Sequence, residues 1–193
     1  MVNAKIQPSC DIDSGTVVGY EYNEETEPAV LCENVIIREG STVYADVILH
    51  DGVQTGHDVL VREFTEIGTE TIVGTKTVID GRSDISENVS IQTGVYIPSQ
   101  TIIENKVFVG PNAVLTNDPY PIRQDCELAG PTIKQSASIG ANAVLNPGIT
   151  VGERSFVASG AVVTRDVPPD TLAVGIPAEF KPLPAELQAE NTL

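Results

Sequence analysis

Apolar residues recur along this chain at every sixth position, a spacing that neither a helix nor a lone strand produces. From Leu31 the column runs through Ile37, Val43 and Leu49 and on to Leu115, and fourteen of its fifteen members are aliphatic, with Thr55 the exception. A second register begins at Val35 and continues through Ser41, Val47, Val53 and Val59 to Ala113, every member small or β-branched. Two positions apart on a strand means one shared face. Each six-residue unit therefore predicts a short strand with two inward side chains, then a corner. Residues that tolerate positive φ recur at the corner's third place: Asn34, Gly40, Asp46, Gly52, Asp58, Asn88, Gly94 and Asn112. Three strands and three corners close a triangular coil every eighteen residues, and stacked coils pair as parallel strands about 4.8 Å apart.

The same pattern marks where the coil breaks. Ile6, Ile12 and Val18 open it, Gly19 to Ala29 (GYEYNEETEPA) interrupts it, and its acidity predicts a solvated bulge or loop. A second interruption follows Leu115, and the column resumes from Ile133 through Val163. Twenty-four units, about eight coils, result. Beyond them prolines stop the repeat, TLAVG reads as a strand, and Pro184 to Asn191 reads as a short capping helix. The division expected is a solenoid domain over 1–183 and a tail or short helix over 184–193.

Outward positions taken every eighteenth residue, stepping over the loop, give Leu60, Val78, Tyr96, Val114, Val144 and Val162 on one face. A monomer rarely leaves so long an apolar stripe in water, so this face is expected to be a subunit interface.

Net charge is −16 with a pI near 4.3, which argues against nucleic acid or an anionic membrane as partner. Such a surface also suits a high-salt cytoplasm. No run approaches a membrane span, no signal-like segment opens the chain, and three scattered cysteines (Cys10, Cys32, Cys126) read as reduced thiols of a cytoplasmic protein.

The repeat resembles that of the hexapeptide-repeat acyltransferases. The resemblance, not the spacing, implies a left-handed parallel β-helix, an all-β fold, with an extended loop near 116–132, and a homotrimer about an axis parallel to the solenoid. SIGANAVLNPGITVGERSFVASGAVVTRDVPPDTLAVGIPA is similar to the C-terminal half of acetyl-CoA-dependent members. VGPNAVLTNDPYPIR is similar to the sugar-nucleotide N-acetyltransferases, whereas GYEYNEETEPA departs from that pattern. The resemblance further implies an acetyl-CoA-dependent transfer of acetyl to the amino group of a nucleotide-linked amino sugar. Asn117 and Asp118 would then stand beside the acceptor amine, with Tyr120 and Arg123 binding substrate and Arg123 meeting its phosphates or a carboxylate.

Candidate chemistry lies at the corners flanking the stripe. Small residues at Gly140, Ala141, Ala158, Ser159 and Gly160 let an extended cofactor approach the backbone, and Arg165 is placed to meet its phosphates or to pair with Asp166 or Asp170. His57 is the candidate base, or else a solvated corner histidine, and His50 reads as structural. Two alternatives stay open. A sugar O-acetyltransferase would lean more on His57, since a hydroxyl is the poorer nucleophile. A γ-class-like carbonic anhydrase needs a three-histidine zinc site, which His50 and His57 do not supply, and no metal is expected.

Overall fold

Three strands per coil, stacked coil on coil, generate three parallel sheets. The computed structural model describes residues 3–192. Sheet 1 contains eight strands from Ala4–Ile6 to Thr150–Val151. Sheet 2 carries eight coil strands from Asp11–Ile12 to Phe156–Val157 and then two more. Sheet 3 contains eight from Val17–Tyr20 to Val162–Val163. Every coil-to-coil pairing is parallel and follows the expected step, as in Ile67 beside Ile85 and Ile79 beside Ile97. The chain thus forms the eight-coil parallel β-helix that its repeat predicts, left-handed as the family resemblance implies.

The column from Leu31 to Leu115 and its continuation from Ile133 to Val163 are buried, as is the second register from Val35 to Ala113. Each large aliphatic withdrawn from water stabilises by roughly 1.5–3 kcal/mol. Thr55, the polar member of the column, is only 5% exposed, and its Oγ1 accepts the Arg38 N–H at 3.1 Å. In neighbouring coils the equivalent amide donates to a stacked backbone carbonyl instead, as Gly56 does to Val73 O at 2.7 Å. A hydroxyl inside the tube thereby stands in for a main-chain acceptor.

The corners turn as their sequence dictates. All eight residues expected at positive φ adopt it, from Asn34 (58°) to Asn112 (57°). Gly140 is required for a different reason: a Cβ there would lie 2.4 Å from Ser159 N of the next coil.

Both interruptions leave from the same edge, the corner between sheets 3 and 1. The first follows Val17–Tyr20 in the first coil, where the ladder slips register between Val18 and Tyr20. The second spans 116–131 after the sixth coil.

The C-terminus departs from expectation. Thr171–Val174 is the expected strand and pairs antiparallel with Glu179–Pro182 in a hairpin that extends sheet 2, but in place of the capping helix the described residues form one 3-10 turn at Ala185–Leu187. The interval after Pro184 is too short for an isolated helix to hold. The tail instead runs back down the molecule to a clasp at Asn191. Its Nδ2 donates to the carbonyls of Lys106 (3.0 Å), Ser136 and Ala137 (3.3 Å each), and its Oδ1 accepts from Ser138 Oγ at 3.0 Å.

Candidate functional site

The edge between sheets 3 and 1 collects most of the molecule's unusual side chains. In the lower coils the first excursion folds onto it. Tyr20 and Tyr44 lie 4.7 Å apart, Tyr22 stacks 6.1 Å from Tyr44, and Tyr22 meets Phe64 edge-on at 6.2 Å. The Tyr22 hydroxyl donates to Asp46 Oδ2 at 2.8 Å, and the Glu27 amide donates to Asp46 Oδ1 at 3.0 Å. Burial and that hydrogen bond push the Tyr22 phenol up to about 12. Only part of the excursion is therefore solvated: its glutamates point outward while its tyrosines pack.

In the upper coils the 116–131 loop leaves the same edge. Asn117 Nδ2 donates to Ser99 Oγ at 3.0 Å and to Ser99 O at 3.3 Å, while the Asn117 carbonyl accepts the Ala129 N–H at 3.0 Å. These bonds close the neck of the loop. Asp118 Oδ1 accepts the Tyr120 N–H at 2.7 Å and also takes the Cys126 thiol at 3.5 Å. Burial and Asp118 together raise that thiol, which keeps it protonated at neutral pH. Asn117 and Asp118 thus shape the loop. Tyr120 and Arg123 are exposed toward its tip, and Asp118, Arg123 and Cys126 line a hollow of about 590 Å³.

Arg165 lies two coils above the loop on this edge, roughly 10 Å along the axis. It makes neither anticipated ion pair. Asp166 accepts the Thr150 N–H at 2.8 Å, Asp170 is held by Arg154 at 2.8 Å, and the Arg165 guanidinium stacks 4.6 Å over Phe180 of the C-terminal hairpin. Gly140, Ala141, Ala158, Ser159 and Gly160 occupy the opposite edge of sheet 3, stacked in the top two coils, where Gly160 N donates to Ala141 O at 2.8 Å. Gly160 has open space around the position of a Cβ.

His57 stands apart. It is exposed on the sheet 2–sheet 3 corner of the third coil, three coils below the loop, or roughly 14 Å along the axis, and on the other edge. A copy related by an axis parallel to the solenoid keeps coils level, so it does not restore the approach to Asn117. His50 Nε2 lies 2.6 Å from Glu66 Oε1 on a third corner. Among the described residues no helix is long and apolar enough to cross a membrane.

Between the two excursions, on the outer face of sheet 1, runs a groove of about 630 Å³ that sequence reasoning missed. Its floor is the outward row Ile48, Glu66, Asp84 and Ile102, and the corner residues Phe64, Arg82 and Gln100 line its side. The available signal was the corner's third place, where Phe64 and Arg82 adopt positive φ (58° and 48°), a conformation usually left to Gly, Asn or Asp.

The repeat and the sheet topology define the class, and comparison with known proteins agrees with it. Residues 130–165 match the family model described as bacterial transferase hexapeptide (six repeats). The chain is 33% identical over 81 residues to the galactoside O-acetyltransferase of Escherichia coli, 39% of this chain and 40% of that protein. It is 51% identical over 49 residues to the dTDP-3-amino-3,6-dideoxy-α-D-galactopyranose 3-N-acetyltransferase of Aneurinibacillus thermoaerophilus, 25% of this chain and 26% of that protein. A hexapeptide-repeat acetyltransferase of Vibrio cholerae, solved with acetyl coenzyme A, superposes with a TM-score of 0.53 at 29% identity, over 61% of this chain and 70% of that one. The chain spans about a quarter to a half of the length of the curated relatives it matches. Residues 130–165 thus carry the transferase hexapeptide repeat, and the chain is similar to hexapeptide-repeat acetyltransferases in sequence and fold.

Proposed function

We propose that the protein is an acetyl-CoA-dependent acetyltransferase whose acceptor is the amino group of a nucleotide-linked amino sugar, working as a homotrimer. The observation that carries this reading is the shared edge: the loop bearing Tyr120 and Arg123 and the stacked Arg165 project from one side of the apolar face of sheet 3. That face runs unbroken in register from Leu60 to Val162, with Tyr96 37% and Val114 38% exposed. A neighbouring copy laid against it turns the edge into a cleft.

Arg165 in the cleft meets the phosphates of acetyl-CoA, and the opposite edge of the neighbouring copy, where Gly140, Ala141 and Ala158 to Gly160 present backbone, closes over the pantetheine arm. The acceptor amine attacks the thioester carbonyl carbon, the C–S bond breaks, and the proton lost by the amine leaves with the thiol of CoA. A corner N–H stabilises the oxyanion, and alignment of the two substrates supplies much of the acceleration. A free amine needs little help from a base, which suits the separation of His57 from the loop. The match to the galactoside O-acetyltransferase supports a second reading, with a sugar hydroxyl as acceptor. A thiol-release screen with acetyl-CoA decides between them. Turnover with aminated sugar nucleotides and not with simple sugars supports the amine. The reverse result overturns it.

A further inference from the structure

Arg82 is the one basic side chain on the sheet 1 groove, in a protein whose net charge of −16 repels anions from most of its surface. Its guanidinium lies 4.6 Å over the Phe64 ring and is exposed. Among the described residues no carboxylate forms an ion pair with it, whereas Arg62, on the same edge, is held by Glu63 and Asp80 at 3.0 and 2.9 Å. The stack fixes the plane of the fork while leaving its N–H groups free to face a ligand. Three carboxylates also line the groove, and two are engaged: Asp46 accepts from the Tyr22 hydroxyl and the Glu27 amide, and Glu66 pairs with His50. Asp84 remains, two residues from Arg82, as an acceptor for hydroxyl groups.

The apolar members stand at its two ends, Ile48 with Phe64 below and Ile102 above. Ile48, Phe64 and Ile102 are 38%, 48% and 46% exposed, and the volume suits a small organic ligand. Its upper end abuts the neck of the 116–131 loop. Gln100 adjoins Ser99, the partner of Asn117, and Gly130 returns so closely over Gln100 that a Cβ there would lie 2.6 Å from the Gln100 carbonyl carbon. The packed first excursion bounds its lower end at Asp46 and Phe64.

From this we infer that the groove is a binding site for a nucleoside diphosphate, with Arg82 forked onto the phosphates, the base laid over Ile48 and Phe64, and the ribose hydroxyls toward Asp84. A bidentate guanidinium matches phosphate, the apolar end at Ile48 and Phe64 matches a base, and Asp84 matches ribose hydroxyls. Resting on the function proposed above, the ligand is the carrier end of the acceptor, which directs its sugar toward the loop. Arg82, rather than Arg123, then grips the diphosphate.

Titration calorimetry of the full chain at low salt with UDP, dTDP and GDP tests this directly. At least one nucleotide is expected to bind, and Arg82→Gln to weaken it roughly tenfold or more, with Arg123→Gln changing it less than about threefold. Ile48→Asp, checked for an unchanged circular dichroism spectrum, is expected to weaken it as well. In turnover, Arg82→Gln is expected to raise KM for the nucleotide-linked acceptor by a similar factor with kcat changed less than about twofold. Nucleotide binding that is insensitive to Arg82, or absent with all three nucleotides, overturns the inference. Arg82-dependent binding without acetyl transfer to any amino-sugar nucleotide leaves the site standing and removes the acceptor reading instead.

Discussion

The two edges of sheet 3 are built from the same repeat and end in opposite states. On the edge toward sheet 2 the left-handed corner place reads Gly40, Asp58, Lys76, Gly94, Asn112, Asn142 and Gly160, with each turn laid tightly on the next. On the edge toward sheet 1 the same place reads Asp46, Phe64, Arg82, Gln100 and, above the loop, Gly148, and both excursions depart there. Backbone geometry is common to the two, since Phe64 N still donates to Asp46 O at 2.8 Å and Gln100 N to Arg82 O at 2.9 Å. The side chains differ. A solenoid whose core and ladders are satisfied coil by coil can load one edge with aromatic and charged groups without disturbing the stack.

The sharpest way to break the comparison is to damage the scaffold both edges share. Ile97→Ala empties a fully buried position in the column and is expected to cost about 2–5 kcal/mol in denaturant unfolding, with both edges lost together. Charge on the stripe comes next: Val114→Asp with Val144→Asp is expected to yield monomer in light scattering and to abolish transfer while the β-sheet spectrum persists. A trimer surviving that pair of changes would remove the cleft.

Tyr22→Phe probes the loaded edge alone. Removing the hydroxyl that Asp46 accepts is expected to cost about 1 kcal/mol at neutral pH. The sign with pH comes from the raised phenol. Its neutral form is favoured by folding, so the contribution is whole below the ordinary tyrosine value and fades as pH rises toward about 12. Wild type should lose stability relative to Tyr22→Phe over that alkaline range. A parallel decline of the two would show that Tyr22 titrates as it does unfolded.

His57→Ala, on the quiet edge, is expected to change kcat/KM less than about twofold. A loss of a hundredfold would bring the hydroxyl acceptor and its base back to the fore. The smallest effect belongs to Asp170→Asn. Arg154 holds the Asp170 carboxyl below its usual range, so the stabilisation is present at neutral pH and disappears as pH falls through the folded value. Melting temperatures of the two proteins should converge in acid.

The fold was legible because the tube buries two side chains per six residues with a fixed step, and even Thr55, the misfit, resolves into a backbone partner. The corner residues were legible because positive φ is chemically selective. What escaped prediction is aperiodic. Tyr22 finds Tyr44 and Phe64 only once the coils set them side by side, and Arg82 meets Phe64 across an eighteen-residue step that linear reading does not join. The C-terminal hairpin and the Asn191 clasp escaped for the same reason, since 85 residues separate Asn191 from Lys106. Among the expected site residues, Arg165 and the loop meet along one edge. His57 does not join them, because flanking the same sheet says nothing about height along the axis.

Strict register between windings gives the molecule a removable module. Ile67 sits directly beneath Ile85. A gene lacking codons 68 to 85 therefore rejoins the two ladders without a frame slip, shortening the rod by one storey. That edit would also delete Arg82 and draw the tyrosine nest up against the upper flap, a ruler with which to ask how far apart the two must stand.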